Sequence, residues 1–286
     1  MSRLSLALVL LVGIGVGGFA ASFMLRGPAA LDETQVRGIV TQMLDTKAAA
    51  APQTVAELDP AKINALIEQY LMDDPAILQR MSEKLAAAKR VAARQAQKDL
   101  ILANHAAIFE DADNVVLGNP EGDVTLVEMF DYNCGYCRQA VPDLATLIAE
   151  DPKLKVILKE FPILSDGSVE AAKVAHLVAE DEKLDYWAFH QKLFSTRGQV
   201  GADAALKAAE AVGANRVGMM IDMNGKGPAD AIQDSYALAT ALNISGTPTY
   251  IIGDELIPGA IGLEALRLKI ANVRACGSTV CEPSEG

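Results

Sequence analysis

The pattern of hydrophobic and polar positions divides the chain into three parts. An uncharged, mostly apolar run occupies residues 4–25, between Arg3 and Arg26. From about residue 32 to residue 103, hydrophobic residues recur every three or four positions, which predicts amphipathic helices. From residue 114 onward, short apolar runs typical of strands alternate with helical segments. The sequence therefore predicts an α/β domain preceded by a helical arm.

Residues 1–27 have the features of an export signal, because a positive residue precedes an apolar stretch. The apolar run is also long enough for a membrane-spanning helix, which needs about 20 residues. Two interpretations therefore stay open: cleavage near Ala20, Ala21 and Ser22, or retention as a signal anchor. Under either one, the rest of the chain is exported to an oxidising compartment, where disulfides persist.

The arm is expected to cover residues 28–110. Asp32 is a candidate helix N-cap, residues 48–52 form an alanine-rich linker, and Asp59-Pro60 is expected to open a further helix. A long helix then carries one apolar stripe, formed by Leu78, Met81, Leu85, Ala88, Ala92, Ala96, Leu100 and Ala103. Such an apolar stripe is expected to be covered, either by the chain's own α/β domain or by copies of the arm in an oligomer.

The α/β domain is expected to span residues 111–275, followed by a tail over residues 276–286. Strands are predicted at 115–117, 124–132, 154–161, 249–252 and 256–259, and helices at about 134–150 and 263–273. The helical insertion is placed at about residues 166–243. Trp187 and Phe189 are interpreted as core, and the three histidines as exposed or satisfied side chains.

Charge and cysteine content narrow the function. A net charge of -12 argues against nucleic-acid binding, which needs clustered Lys and Arg. The four cysteines form two close pairs, which are too few for a disulfide scaffold. We expect no cofactor and no metal.

The first pair, Cys134 and Cys137, follows a predicted buried strand and begins a helix. A helix N-terminus favours a thiolate, so Cys134 is expected to attack substrate and Cys137 to resolve the mixed disulfide. The second pair, Cys276 and Cys281, is most simply a local disulfide. A less favoured alternative combines the four cysteines in a structural zinc site.

The segment from Phe130 to Arg138 resembles the active site of bacterial DsbA-like proteins, and the wider resemblance covers residues 112–275. It implies a thioredoxin fold with an inserted helical domain, a periplasmic location, and a cis peptide bond before Pro248, next to the cysteine motif. Two departures are informative. Gly135-Tyr136 replaces the Pro-His dipeptide of DsbA, and Thr247 before the proline is similar to disulfide isomerases.

The arm resembles that of the ScsC proteins, the suppressors of copper sensitivity, some of which are oligomeric isomerases. The resemblance also matches Glu128 to an acidic residue near the buried cysteine, where a carboxyl with a raised pKa would shuttle the proton of Cys137. The alternative is a solvent-facing glutamate at a strand edge. Lys159 and Glu160 are further candidates for the same electrostatic environment.

We therefore expect an enzyme that exchanges protein disulfides, with a preference for disulfide isomerisation. A DsbA-like oxidase and a copper-binding protein using the Cys134 and Cys137 thiolates are the alternatives. The expected partners are protein substrates with disulfides, a membrane redox protein that reduces or reoxidises the pair, and further copies of this chain in a trimer.

Overall fold

The computed structural model describes residues 59–281 and, of the preceding residues, positions 34, 37, 38 and 40–42, which are helical. The chain divides into two compact units, Met1–Gln79 and Arg80–Gly286. The expected export signal, the Asp32 cap and the alanine-rich linker lie outside the described residues. No helix among the described residues is both long and apolar enough to cross a bilayer.

The first described helix, α1, spans Pro60–Asp73 and begins as the sequence predicts. The carboxylate of Asp59 accepts a hydrogen bond from the Ala61 N–H at 3.1 Å, and proline occupies the first helical position, where no N–H is needed. The helix buries none of its residues, and Leu66 and Tyr70 are each 66% exposed.

The long helix α2 spans Ala76–Ala103, and its apolar stripe is mostly uncovered. Met81 is 62% exposed and Val91 is 65% exposed, whereas Ile101, near the end of the helix, is buried. The domain therefore covers only the last turns of this stripe. A short helix, α3, follows at His105–Phe109 and buries Ile108.

The α/β domain contains a five-stranded sheet in the order β1-β3-β2-β4-β5. The strands are β1 Val115–Gly118, β2 Val124–Phe130, β3 Leu154–Glu160, β4 Thr249–Ile252 and β5 Glu255–Pro258. Strands β2 and β3 are parallel, and the other pairs are antiparallel. The carboxyl ends of β2 and β3 therefore meet at one edge of the sheet, which is where the cysteine motif follows.

Helices complete the domain around this sheet. They are α4 Gly135–Glu150, α5 Asp166–Glu180, α6 Tyr186–Phe194, α7 Ala202–Ala211, α8 Arg216–Asp222, α9 Lys226–Ala241 and α10 Leu263–Cys276. Helices α5 to α9 form the helical insertion between β3 and β4. The parallel crossover from β2 to β3 runs through α4.

The two faces of the sheet belong to different clusters, as the period-2 alternation of a strand requires. On one face, Leu126 and Leu158 join the main core with residues of α4, α5, α6 and α10. On the other face, Val127 and Ile157 pack with Ile101 of α2 and with α3 and α9. Glu128 lies on the main-core face, because it alternates with Val127 along β2.

Candidate active site

The cysteine motif lies where β2 ends and α4 begins. Cys134 is the N-cap residue of α4, and its backbone N–H donates to the carbonyl of Asp131 at 2.9 Å. The Asp131 carboxylate accepts from the N–H of Asn133 at 2.7 Å and from the N–H groups of Ile163 and Leu164, each at 2.9 Å. The turn that presents Cys134 is therefore fixed by a buried carboxylate before the helix begins.

The two motif cysteines are thiols with opposite environments. Cys134 is 5% exposed, Cys137 is 1% exposed, and the Cys137 backbone N–H donates to the Cys134 sulfur at 3.3 Å. The hydrogen bond from the Cys137 side chain, with further bonds from the Thr247 side chain and from the backbone N–H groups of Tyr136 and Cys137, lowers the pKa of Cys134 to about 5. Burial, together with the bond to Cys134, raises the pKa of Cys137 far above its ordinary value.

The predicted cis bond between Thr247 and Pro248 is confirmed. The Cys134 thiol donates to the Thr247 carbonyl at 3.2 Å, so this loop contacts the sulfur directly. The Pro248 carbonyl accepts from the Gly259 N–H at 2.8 Å, which holds the loop to the end of β5. The loop thus brings a backbone acceptor to the nucleophile from a segment 113 residues away.

Glu128 is buried and does not face solvent, so the strand-edge interpretation is wrong. It lies opposite Tyr250 in the pairing of β2 with β4, on the sheet face that carries the cysteines. Burial, followed by the negative charge of Cys134, raises the pKa of Glu128 to about 8. The carboxyl also acts electrostatically on Cys137 and raises the pKa of that thiol.

Lys159 does not belong to this environment. It follows Leu158 along β3, so it faces the opposite side of the sheet from Glu128, and its ammonium binds the Asp111 carboxylate at 2.7 Å. The expectation for Lys159 is therefore wrong, because the alternation of side chains along a strand separates the two residues.

Glu160 belongs to a buried polar chain that sequence reasoning missed. The Tyr186 hydroxyl donates to the Glu160 carboxylate at 3.2 Å, and the Tyr132 hydroxyl lies 3.4 Å from the Tyr186 hydroxyl and 3.2 Å from His190 Nδ1. Burial raises the pKa of Glu160 well above its ordinary value and lowers the pKa of His190 to about 3. His190 is therefore neutral, and the chain of hydrogen bonds joins the end of β3 to the helical insertion beside the segment that leads into the cysteine motif.

The dipeptide between the cysteines is open to solvent. Tyr136 is 66% exposed, and a Cβ atom added to Gly135 would meet nothing within 4 Å. Both positions therefore lie at the surface next to the motif cysteines and outside the hydrophobic core.

The second cysteine pair is a disulfide, as expected. The Sγ atoms of Cys276 and Cys281 are 2.09 Å apart and close a short loop after α10. The Asp254 carboxylate anchors this loop by accepting from the Ser278 hydroxyl at 2.9 Å and from the Thr279 N–H at 3.1 Å. A shared zinc site with Cys134 and Cys137 is therefore wrong, since these two sulfurs are bonded to each other. Within the described part of the chain, no group of three or more His, Cys, Asp or Glu side chains is placed to hold a metal ion.

Comparisons with solved structures place this geometry among thiol–disulfide exchange proteins. A thioredoxin-like oxidoreductase from Silicibacter pomeroyi is 37% identical, with a TM-score of 0.57, over 60% of this chain and 99% of that chain. The thiol-disulfide exchange protein alpha-DsbA2 from Wolbachia pipientis is 32% identical, with a TM-score of 0.58, over 64% and 98%. Proteus mirabilis ScsC in a transitional conformation is 25% identical, with a TM-score of 0.57, over 76% and 99%.

The chain is also similar to part of a longer curated protein. The Na(+)/H(+) antiporter NhaA 3 of Salinispora tropica is 24% identical over 266 residues. The match takes in 92% of this chain, and the chain spans about a third of the length of that relative, 36%.

The sequence family that matches is described as the DSBA-like thioredoxin domain, and the match covers residues 125–271. These residues run from β2 through the cysteine motif and the helical insertion into α10. The resemblance to DsbA-like proteins, with ScsC among its structural neighbours, is thereby confirmed. The chain belongs to the DSBA-like thioredoxin domain family and has its thiol–disulfide oxidoreductase fold.

Proposed function

We propose that this chain is an exported protein disulfide isomerase, in which Cys134 is the nucleophile and Cys137 the resolving thiol. The observation that carries the proposed exchange chemistry is the difference in environment between the two thiols. A sulfur with a pKa of about 5 is a thiolate at neutral pH, whereas the neighbouring sulfur is buried and keeps its proton. A reaction that begins with one attacking thiolate needs this division.

The proposed reaction needs no oxidant or reductant other than the thiols and disulfides of the enzyme and its substrate. The Cys134 thiolate attacks one sulfur of a substrate disulfide, which forms a mixed disulfide and releases the other substrate sulfur as a thiolate. In isomerisation, a substrate thiolate then attacks a different substrate sulfur, and a final attack on the mixed disulfide releases the Cys134 thiolate. If the substrate does not rearrange, Cys137 attacks the Cys134 sulfur and releases the substrate in reduced form.

Glu128 is proposed to accept the Cys137 proton in that last step. While Cys134 is a thiolate, its charge helps to raise the pKa of Glu128 to about 8 and favours the neutral carboxyl. Forming the mixed disulfide removes the charge, so Glu128 ionises more readily when a base is required. The carboxyl would therefore respond to the state of Cys134.

A cleft beside the cis-proline loop is consistent with the proposal that the substrate is a polypeptide. It has a volume of about 470 Å³ and is bordered by the 243–249 loop and by apolar side chains that include Leu100, Leu242 and Leu256. Exposed backbone at the loop and apolar walls are suited to an extended segment with hydrophobic side chains. An isomerase meets such segments because misfolded chains expose them.

An oxidase is the second candidate, and the lowered pKa of Cys134 favours it. A thiolate stabilised in the reduced form makes a disulfide more oxidising, and pKa values of about 7 in thioredoxin and about 3.5 in DsbA mark the range. A pKa of about 5 lies between them. The preference for an isomerase rests on Thr247 and on the arm.

Thiol trapping in cells distinguishes the two candidates. Cys134 and Cys137 that are mainly reduced, kept so by a membrane reductase, support the isomerase, and a mainly oxidised pair supports the oxidase. Refolding of a substrate with scrambled disulfides measures the isomerase activity of the purified protein. The oxidase alternative requires that the reduced protein fails to rescue such a substrate.

The arm is proposed to assemble the chain into a trimer, which would hold one misfolded substrate at several active sites. The support is exposed apolar surface on both helices: Leu66 and Tyr70 of α1 are each 66% exposed, and Met81 of α2 is 62% exposed. Light scattering should show an oligomer that Leu66→Asp weakens. Leu268→Asp, at a 62% exposed position on α10, is the matched control and should leave the assembly intact. A monomeric wild-type protein would refute the trimer.

A further inference from the structure

The side chain of Asn133, the residue before the nucleophile, makes a dense set of hydrogen bonds. Its carbonyl oxygen accepts from the Val200 N–H at 2.7 Å, and its amide nitrogen donates to the Val200 carbonyl at 2.9 Å. The same nitrogen donates to the Ser168 hydroxyl at 2.9 Å and lies 3.3 Å from the Ser165 hydroxyl. A carboxamide side chain carries a donor and an acceptor side by side, so it can bond the carbonyl and the N–H of one backbone residue at the same time.

These bonds join three separate segments of the domain. Val200 is fully buried in the loop before α7, and Ser168 lies in the first turn of α5, where it is 1% exposed. This loop and the first turn of α5 approach closely, because a Cβ atom added to Gly167 would lie 2.6 Å from the Val200 carbonyl oxygen. Asn133 therefore ties the active-site loop to a tightly packed part of the helical insertion.

The loop that carries the nucleophile is held at both ends. Asp131 fixes its beginning through the bonds described above, and Asn133 fixes the residue next to Cys134. The Cys134 sulfur accepts from the Cys137 N–H at 3.3 Å, a distance at which a small shift of the loop weakens the bond. The hydrogen bonds that stabilise the thiolate thus depend on where Asn133 places the Cys134 backbone.

We propose that Asn133 is a positioning residue for thiol–disulfide exchange, whose amide fixes the Cys134 thiolate against the helical insertion through Val200 and Ser168. This inference rests on the proposed function of Cys134 as nucleophile. Asn133 itself does not touch the reacting sulfur atoms, and its effect passes through the backbone of the next residue. The insertion, which contains no cysteine, thereby controls the reactivity of one.

The test is the thiolate titration of Cys134, followed by its absorbance at 240 nm, in Asn133→Ala, Ser168→Ala and Asn119→Ala. Asn119 is the matched control, because its amide donates to the Pro152 carbonyl at 2.9 Å and accepts from the Glu121 N–H at 2.9 Å. It lies at the opposite end of β2. Both asparagine variants lose side-chain bonds to backbone and should lose similar stability in urea.

Only the variants near the cysteine should alter the sulfur. We expect Asn133→Ala to raise the pKa of Cys134 by about one unit, which at pH 6 lowers the thiolate fraction from about 0.9 to about 0.5, with a smaller rise in Ser168→Ala. Asn119→Ala should keep the wild-type pKa. A wild-type pKa in Asn133→Ala would overturn the proposal and leave Asn133 a purely structural residue.

If Asn133→Ala does not fold, Ser168→Ala carries the test, and an unchanged pKa there overturns the proposal. Failure of the proposed function looks different: exchange activity would persist in Cys134→Ala, whatever the asparagine variants do.

Discussion

The chain carries two cysteine pairs at opposite ends of helices. Cys134 caps the N-terminus of α4, where its sulfur accepts a backbone N–H, whereas Cys276 is the last residue of α10 and is bonded to Cys281. The helix dipole favours a thiolate at the first position and disfavours one at the second. A cysteine at the N-terminus of a helix is therefore a reactive thiol here, whereas a cysteine at the C-terminus of a helix forms a structural disulfide.

The surroundings strengthen this difference. The first pair is buried next to Glu128, Thr247 and Pro248, and hydrogen bonds to the sulfur favour its charged form. Cys276 is exposed, and its loop is held by the Asp254 carboxylate, an anion that offers no stabilisation to a thiolate. Cysteine chemistry is thus decided by the helix end and the neighbouring charges.

The largest expected effect comes from removing the nucleophile. Cys134→Ala should reduce disulfide exchange to background, and Cys137→Ala should accumulate mixed disulfides with substrates, because the resolving thiol is missing. Non-reducing electrophoresis and insulin-reduction assays measure both. Exchange that survives in Cys134→Ala would assign the chemistry elsewhere in the chain.

Glu128→Gln should change stability in a pH-dependent way. Below pH 4.5 the carboxyl is neutral in both folded and unfolded chains; between pH 4.5 and about 8 the unfolded chain ionises while the folded one keeps its proton. Wild-type stability therefore falls as pH rises through this window, by an upper limit of about 5 kcal/mol. The variant lacks this loss.

Urea denaturation at pH 4 and pH 9 measures the difference, and the variant should be the more stable protein at pH 9. Glu121→Gln, which removes an exposed carboxyl from the turn before β2, is the control and should follow the wild type. Equal pH dependence in Glu128→Gln and the wild type would mean that the carboxyl is not buried in neutral form.

Removal of the second pair should cost stability and spare activity. The double variant Cys276→Ser, Cys281→Ser opens a loop with a sequence separation of 5, for which chain entropy gives about 2 kcal/mol. Its exchange rate should stay within about twofold of wild type, since a difference of that size is below 0.5 kcal/mol. A tenfold loss of exchange would instead make the second pair part of the redox chemistry.

Tyr136→His gives the smallest effect and sharpens the comparison at the first pair. A histidine beside the sulfur should lower the pKa of Cys134 by up to about one unit and make the disulfide more oxidising. Tyr136→Phe keeps an aromatic ring but, unlike histidine, cannot carry a positive charge, so it should leave the pKa of Cys134 unchanged. Equal titrations in the two variants would show that this exposed position does not act on the sulfur.

The sequence predicts much of this site, because its main parts are local. The cysteine motif is recognisable from a few residues, because it lies between a buried strand and a helix. The Gly-Thr-Pro triplet before a strand is recognisable in the same way. The alternation along β3 would also have separated Lys159 from Glu128 once the pairing of Glu128 with Leu158 was known. The register, a long-range property, was the missing information.

The contacts that sequence reasoning missed are those between distant segments. Asn133 reaches Val200 across 67 residues, and Tyr132 reaches His190 across 58. No local pattern marks either pair, since an asparagine in a turn is ordinary turn chemistry. Only the packing of the helical insertion against the end of β2 makes them partners.

Alkylation of the fully reduced protein tests the difference between the two pairs most directly. Rates of carbamidomethylation at Cys134 and Cys276, followed by peptide mass spectrometry from pH 4 to pH 10, give a midpoint for each sulfur. We predict a midpoint near pH 5 for Cys134 and one at or above about 8.5, the ordinary value for cysteine, for Cys276. A common midpoint near 8.5 for both sulfurs would contradict the account.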